Sequence, residues 1–392
     1  MLTTHQTGVL ALLKSGLTGA PCSLPEDLNW DNIIKTAQRH QIVNLLYYGA
    51  VNCGISQEEP AMKRWFSLVC QSMLHGERQY HELEQLLTAF SENGIEHLPL
   101  KGSVTKVLYP SKDMRTMGDS DILINPAQYK KLRLLMLKLG YEHDGEFDHE
   151  IKWKHPDLYV ELHRSLVPKV SASDYYNYYQ TGWERARATQ TPYRFEFSDE
   201  DHFIFIFSHF AFHYRAGGIG LRHLADLWVY QQAKPHMDMA YVKQELKKMH
   251  MDLFFENVLQ TLAVWFDEQP LTEMAEVITC HVFGSGAYGS QEYKQLSNVI
   301  KSNRRSKNAF GARLRRVREQ IFLPYRYMCL RYTFLPRVPF LLPVLWIVRW
   351  FTVLIKHPKN ILHRAQNEHN LNMDRVKEWE SALRYVGLDF YY

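Results

Sequence analysis

Leu98–Asn125 reads LPLKGSVTKVLYPSKDMRTMGDSDILIN. The stretch opens with a short apolar run that ends in Lys101-Gly102-Ser103, crosses a basic connector, and closes on two aspartates at the head of an aliphatic run. The first run predicts a strand over Ile95–Leu100. Gly102-Ser103 then turns the chain into a helix over Val104–Tyr109, and the second run predicts a strand over Asp119–Ile124. Asp119 and Asp121 are two residues apart, and on a strand alternate residues share a face. Two carboxylates held that close repel each other unless a cation lies between them. Mg²⁺, or Mn²⁺ in its place, suits such a pair, because it takes oxygen ligands and keeps phosphates and waters in its shell.

Downstream of the pair, Ala127–Leu139 carries Leu132, Leu135, Met136 and Leu139 on one helical face, and Gly140 stops it. Tyr141–His155 reads as extended, with a strand over His149–Trp153. Pro156-Asp157 makes a turn, and Leu158–Leu162 is expected to pair back as a hairpin. Glu161 sits on that last strand between Val160 and Leu162. It adds a third acid on a second apolar strand, and three convergent carboxylates suit two-metal phosphoryl transfer. Upstream, Gly102 permits close backbone approach. Ser103 can donate to a phosphate oxygen, and Lys101 and Arg115 can offset phosphate charge. The plainer alternatives are a helix cap for Ser103 and solvated cations for Lys101 and Arg115.

The flanks read as helical. Leu28–Ala50 and Ala61–Asn93 show apolar residues three and four apart, and Asn93-Gly94 closes the second run. Beyond Ser165, Ser198-Asp199-Glu200-Asp201 caps a helix through His202–Tyr214, and further helices are expected over Arg222–Gln232 and Met239–Met249. Gly284–Gly289 is expected to be a flexible joint. The fold class is therefore α+β: a small mixed sheet with flanking helices, set between a helical N-terminal region (1–94) and a helical C-terminal region (198–392), with the catalytic core in 95–197.

Composition narrows the function. The chain has 392 residues, 46% hydrophobic and 22% charged, with a net charge of +4, which is too mild to imply nucleic acid. The five cysteines have no CxxC spacing, so neither a disulfide framework nor a zinc knuckle is expected, and a reducing, cytoplasmic setting fits. No signal peptide is read at the N-terminus. Phe334–Ile355 is interrupted by prolines and arginines, so no transmembrane span is expected. Lys301–Arg318 concentrates basic residues and offers contact with an anionic surface, with a solvated basic helix as the simpler account.

Gly102-Ser103, Asp119-x-Asp121 and Glu161 together resemble the nucleotidyltransferase superfamily of the polymerase-beta type. More narrowly, LKG…R-x-MGDSDILI…VELH resembles an uncharacterised bacterial nucleotidyltransferase family. The resemblance implies an enzyme that binds an NTP such as ATP with Mg²⁺ (or Mn²⁺). It would transfer a nucleoside monophosphate to an acceptor (protein, RNA, sugar or small molecule) and release pyrophosphate. Asp119, Asp121 and Glu161 would be the catalytic and metal-holding residues, and Lys101, Gly102, Ser103 and Arg115 would bind the nucleotide. The wider superfamily often has Asp where this chain has Glu161. Looser likenesses are His209-x-x-x-His213 and Arg222-x-x-x-Asp226. The first has zinc-binding spacing, although helix packing is the simpler reading. The second reads as an i, i+4 ion pair that fixes its helix. Two alternatives stand beside this reading. One is an Asp-x-Asp glycosyltransferase using a nucleotide sugar; the other is a non-catalytic binding protein with the nucleotidyltransferase fold.

Overall fold

In the computed structural model, residues 1–147, 149–169, 173–304, 318, 321–332, 334–356 and 373–389 are described. The chain forms two compact units: Met1–Gln291 with Leu383–Tyr392, and Glu292–Ala382.

The first unit opens with helices α1 (Thr4–Thr18), α2 (Trp30–His40), α3 (Val43–Asn52) and α4 (Pro60–Glu92). The sequence predicts one helix over Leu28–Ala50. The chain instead breaks at Gln41, whose φ of 56° is left-handed, and the amide of Gln41 caps the end of α2. Helix α4 is 33 residues long and ends where Asn93-Gly94 predicts, with Gly94 at φ 62°.

Strand β1 (His97–Pro99) leads through a short helical turn, α5 (Gly102–Thr105), and the connector to β2 (Ser120–Ile124). Helix α6 (Tyr129–Lys138) follows, then β3 (Glu142–Phe147), β4 (Glu150–Lys154) and β5 (Tyr159–His163). The sheet is mixed, in the order β1-β2-β5-β4-β3, with β2 and β5 parallel and the other pairs antiparallel. The expected hairpin exists, and β3 adds a strand at its outer edge within the segment read as extended.

Alternation along these strands divides the sheet into two unlike faces. Ile122, Ile124, Ile151, Trp153, Val160 and Leu162 enter one hydrophobic core with Leu83, Leu86, Leu87 and Phe90 of α4 and Leu132 and Met136 of α6. The intervening positions put Asp121, Glu150, Lys152, Glu161 and His163 on the opposite face. The apolar face anchors the sheet, and the opposite face gathers the charged residues.

The unit continues through α7 (Ser173–Tyr178), a two-strand ribbon of β6 (Arg187–Ala188) and β7 (Phe195–Glu196), and helices α8 (Asp199–Gly217), α9 (Leu221–Ala233), α10 (Met239–Lys247), α11 (Asp252–Phe266) and α12 (Glu273–Ser285). Ser198 caps α8 as predicted, accepting from the Asp201 amide, with three acids in the first turn. The glycine-rich segment expected to be a joint is closely packed: a Cβ at Gly289 would lie 2.5 Å from the Gly217 carbonyl oxygen.

Among its described residues the second unit contains α13 (Gln291–Arg304) from Glu292 onward, α14 (Tyr325–Arg331), α15 (Leu342–Lys356) and α16 (Met373–Tyr385) as far as Ala382. Most of the basic segment Lys301–Arg318 lies outside the described residues. Among the described residues, no helix is long and apolar enough to cross a membrane.

Candidate active site

Parallel pairing of β2 with β5 sets Asp121 directly opposite Glu161. His163, two residues beyond Glu161, shares its face, and the ligand atoms of Asp121, Glu161 and His163 all lie within 4.8 Å of one another. Each buried carboxylate has a cationic partner. Lys101 Nζ lies 2.8 Å from Asp121 Oδ1, and Lys152 Nζ lies 2.6 Å from Glu161 Oε1 and 3.0 Å from Glu150 Oε1. His163 Nε2 also meets Asp121 Oδ1 at 2.8 Å.

These contacts set the charge states. Burial pushes the Asp121 carboxyl up, but the Lys101 ammonium and the His163 ring outweigh it and hold Asp121 well below the usual carboxylate range. Burial pulls Lys101 down, and the charges of Asp121, Asp119 and Glu161 more than restore it. Asp119 sits one residue ahead of β2 and is exposed. Its carboxyl is nevertheless raised, first by the protein crowded around it, which displaces water, and then by the charge of Asp121. Glu161 is raised by burial despite Lys152, with Asp119, Glu150 and Asp121 adding to the effect. The three acids therefore feel one another's charge.

Lys101 reaches Asp121 through unusual backbone. Its φ of 50° and ψ of −120° lie where a side chain is strained, at the point where β1 turns into α5. The Ser103 hydroxyl does not cap a helix: it donates to the Leu100 carbonyl at 2.7 Å, which ties the turn to the strand end. Gly102 is crowded by its neighbour, since a Cβ there would lie 3.1 Å from both terminal nitrogens of Arg115.

Arg115 is a buried strut. Its guanidinium grips Asp226 of α9 with Nε–Oδ1 and Nη2–Oδ2 distances of 2.9 Å. Tyr109 donates to the same carboxylate at 2.7 Å. This corrects the expected Arg222–Asp226 pair, because Arg115 and Tyr109 occupy the carboxylate and Arg222 turns to Gln41 Oε1 and the Thr116 carbonyl. Burial, followed by the charge of Arg115, lowers Arg222 to about 10. The rest of the connector is tied down as well. Asn44 and Tyr48 of α3 hold Asp113, Gln41 accepts from the Thr116 hydroxyl, and Gln79 of α4 donates to the Gly118 carbonyl.

His209 and His213 face each other on α8, with Nε2 atoms 3.0 Å apart. Among the described residues they belong to no cluster of three metal-ligand groups. Burial and then the Lys101 charge hold His209 well below its ordinary pKa.

Sequence reasoning missed Lys152, His163, Glu150 and His149. The signal was present: Glu150 and Lys152 alternate on one strand, as do Glu161 and His163 on the next.

A model of the family described as "Uncharacterised nucleotidyltransferase" matches residues 26–267. The chain belongs to that family. The match runs from α2 to the end of α11 and contains every residue of the site described above. Family membership and the mixed sheet with flanking helices agree with the fold read from the sequence. Among curated proteins, none matches. Among solved structures, the antibiotic-resistance factor ANT(2'')-Ia, determined in solution, aligns over 50% of this chain and 100% of its own, at 12% identity and a TM-score of 0.33.

Proposed function

We propose that this nucleotidyltransferase-family protein transfers a nucleoside monophosphate from an NTP to an acceptor and releases pyrophosphate, using Mg²⁺ or Mn²⁺. The observation that carries the reading is the direct pairing of Asp121 with Glu161 across adjacent parallel strands, with Asp119 at the rim.

The donor set fits a divalent cation. The carboxylates of Asp121 and Glu161 converge, and the ammonium groups of Lys101 and Lys152 supply the positive charge that buried acids require. Asp119, Asp121 and Glu161 would hold the ion, which when bound neutralises triphosphate charge and activates an attacking hydroxyl. Lys101, held above its ordinary pKa, stays charged and is aimed at the same point. With an ion held by Asp121, the Lys101 ammonium would be available to a phosphate oxygen. Raised above its usual range, Glu161 is suited to accept a proton from the acceptor. Gly102 and Ser103 would line the phosphate approach. Arg115 acts indirectly by fixing the connector against α9, since its hydrogen-bonding fork is filled by Asp226.

The test is incubation with each labelled NTP, Mg²⁺ or Mn²⁺, and cell extract, comparing wild type with Asp121→Ala. Label on an acceptor with wild type alone supports transfer, and the variant should lose at least about 10²–10³-fold, the scale for removing one preorganised electrostatic group. Label from a nucleotide sugar and from no NTP would establish the glycosyltransferase alternative instead. Biological activity unchanged in Asp121→Ala would point to a non-catalytic binding role.

A further inference from the structure

We propose that His149, Glu150 and His163 form a second cation site, built for a borderline transition ion of the zinc class and separate from the Asp119/Asp121/Glu161 carboxylates. It is a site of the same sheet face but of different chemistry, with two imidazole nitrogens and one carboxylate oxygen.

Strand pairing creates it. Glu150 lies directly opposite His163 in the β4–β5 ladder, and His149 immediately precedes β4. Ligand atoms of all three residues lie within 4.8 Å of one another, and the two imidazole rings have centroids 5.4 Å apart. His149 Nε2 is 3.5 Å from Glu150 Oε2. The other Glu150 oxygen is held by Lys152 at 3.0 Å, which leaves Oε2 for an ion.

Two observations point to a ligand. His163 Nδ1 is buried without a hydrogen-bond partner, while His149 brings its Nε2 toward Glu150. A buried ring nitrogen with no partner is costly, and a cation relieves it. In addition, His163 bonds Asp121 through Nε2. A neutral ring that donates its Nε2–H to Asp121 carries its lone pair on Nδ1, the atom left without a partner. A carboxylate behind a histidine, fixing its tautomer and raising its basicity, is the arrangement that supports metal-bound imidazoles. Two histidines and one carboxylate match the three-ligand zinc set that leaves a coordination position open. Nitrogen donors also disfavour Mg²⁺, which prefers oxygen.

The test loads the purified full-length protein with Co²⁺ as a spectroscopic stand-in for zinc and records visible absorption. The expected result is the intense band of four- or five-coordinate cobalt, abolished by stoichiometric Zn²⁺ and unaffected by excess Mg²⁺. Glu150→Gln and His149→Ala should lose the band, and Asp119→Asn should keep it. Zn²⁺ should raise the melting temperature of wild type but not of Glu150→Gln, a near-isosteric change that decides the matter if His149→Ala folds poorly. No band in wild type, or a band that survives both substitutions, overturns the proposal. The transfer reading stands or falls separately: cobalt binding without transfer sinks only that reading, and transfer without the cobalt band sinks only this one.

Discussion

Asp226 lies 111 residues from Arg115 in sequence, yet their side chains form a deeply enclosed ion pair, with exposures of 9% and 6%. Such a pair is a poor source of net stability, but breaking it from one side strands a buried charge. Asp226→Ala should therefore destabilise the protein by about 3–5 kcal/mol, and urea unfolding measures it. The loss should exceed that of Asp226→Asn, which keeps an oxygen for Arg115 Nε and Tyr109. A surface role for Arg115 would predict little change. This pairing was not legible in the sequence, because both residues had nearer and equally plausible partners. Asp119, Asp121 and Glu161 were legible, because a charged residue within an aliphatic strand run announces itself locally. Their counter-ions were only half legible: Lys152 and His163 follow from alternation, whereas the reach of Lys101 depends on a left-handed backbone that no lysine suggests.

At the scale of elements, four of the five strands of the sheet were readable to within about two residues, because apolar runs with β-branched residues end at turn formers. The parallel pairing of β2 with β5 was not readable, since it depends on helix α6 carrying the chain across and on β3–β4 filling the other side. The sheet holds its register through its apolar face, where Trp153 and Ile151 are fully buried against α4 and α6. Trp153→Ala should cost about 3–5 kcal/mol, the usual price of truncating a buried aromatic. It should also lower activity by loosening the alignment of Glu161 with Asp121, although it touches neither. A thermal melt measures the first effect and the labelled-NTP assay the second. Wild-type stability in this variant would mean that the strand is held elsewhere.

Across the whole molecule, buried histidines recur away from the charged face. His40, His97 and His202 are each pulled down to about 4 from 6.5, in every case chiefly by burial. The unfolded chain therefore binds protons that the folded chain refuses between those two values. Where the unfolded state binds more protons, stability rises with pH. The contribution of these residues is thus present above about pH 6.5 and is lost as the pH falls toward 4. The melting temperature should drop steeply across that window, and replacing His40 with Gln should flatten the slope. A melting temperature constant from pH 7 to 4.5 would contradict it.

The grip of Asp226 on Arg115 has one more consequence, for autonomy. All three acids lie within residues 95–197, so that segment looks like a self-sufficient catalytic module. Its connector is nevertheless pinned from outside on every side: by Asn44, Tyr48 and Gln79 upstream and by Asp226 downstream. The segment 95–197 is therefore not held in this arrangement by its own contacts alone.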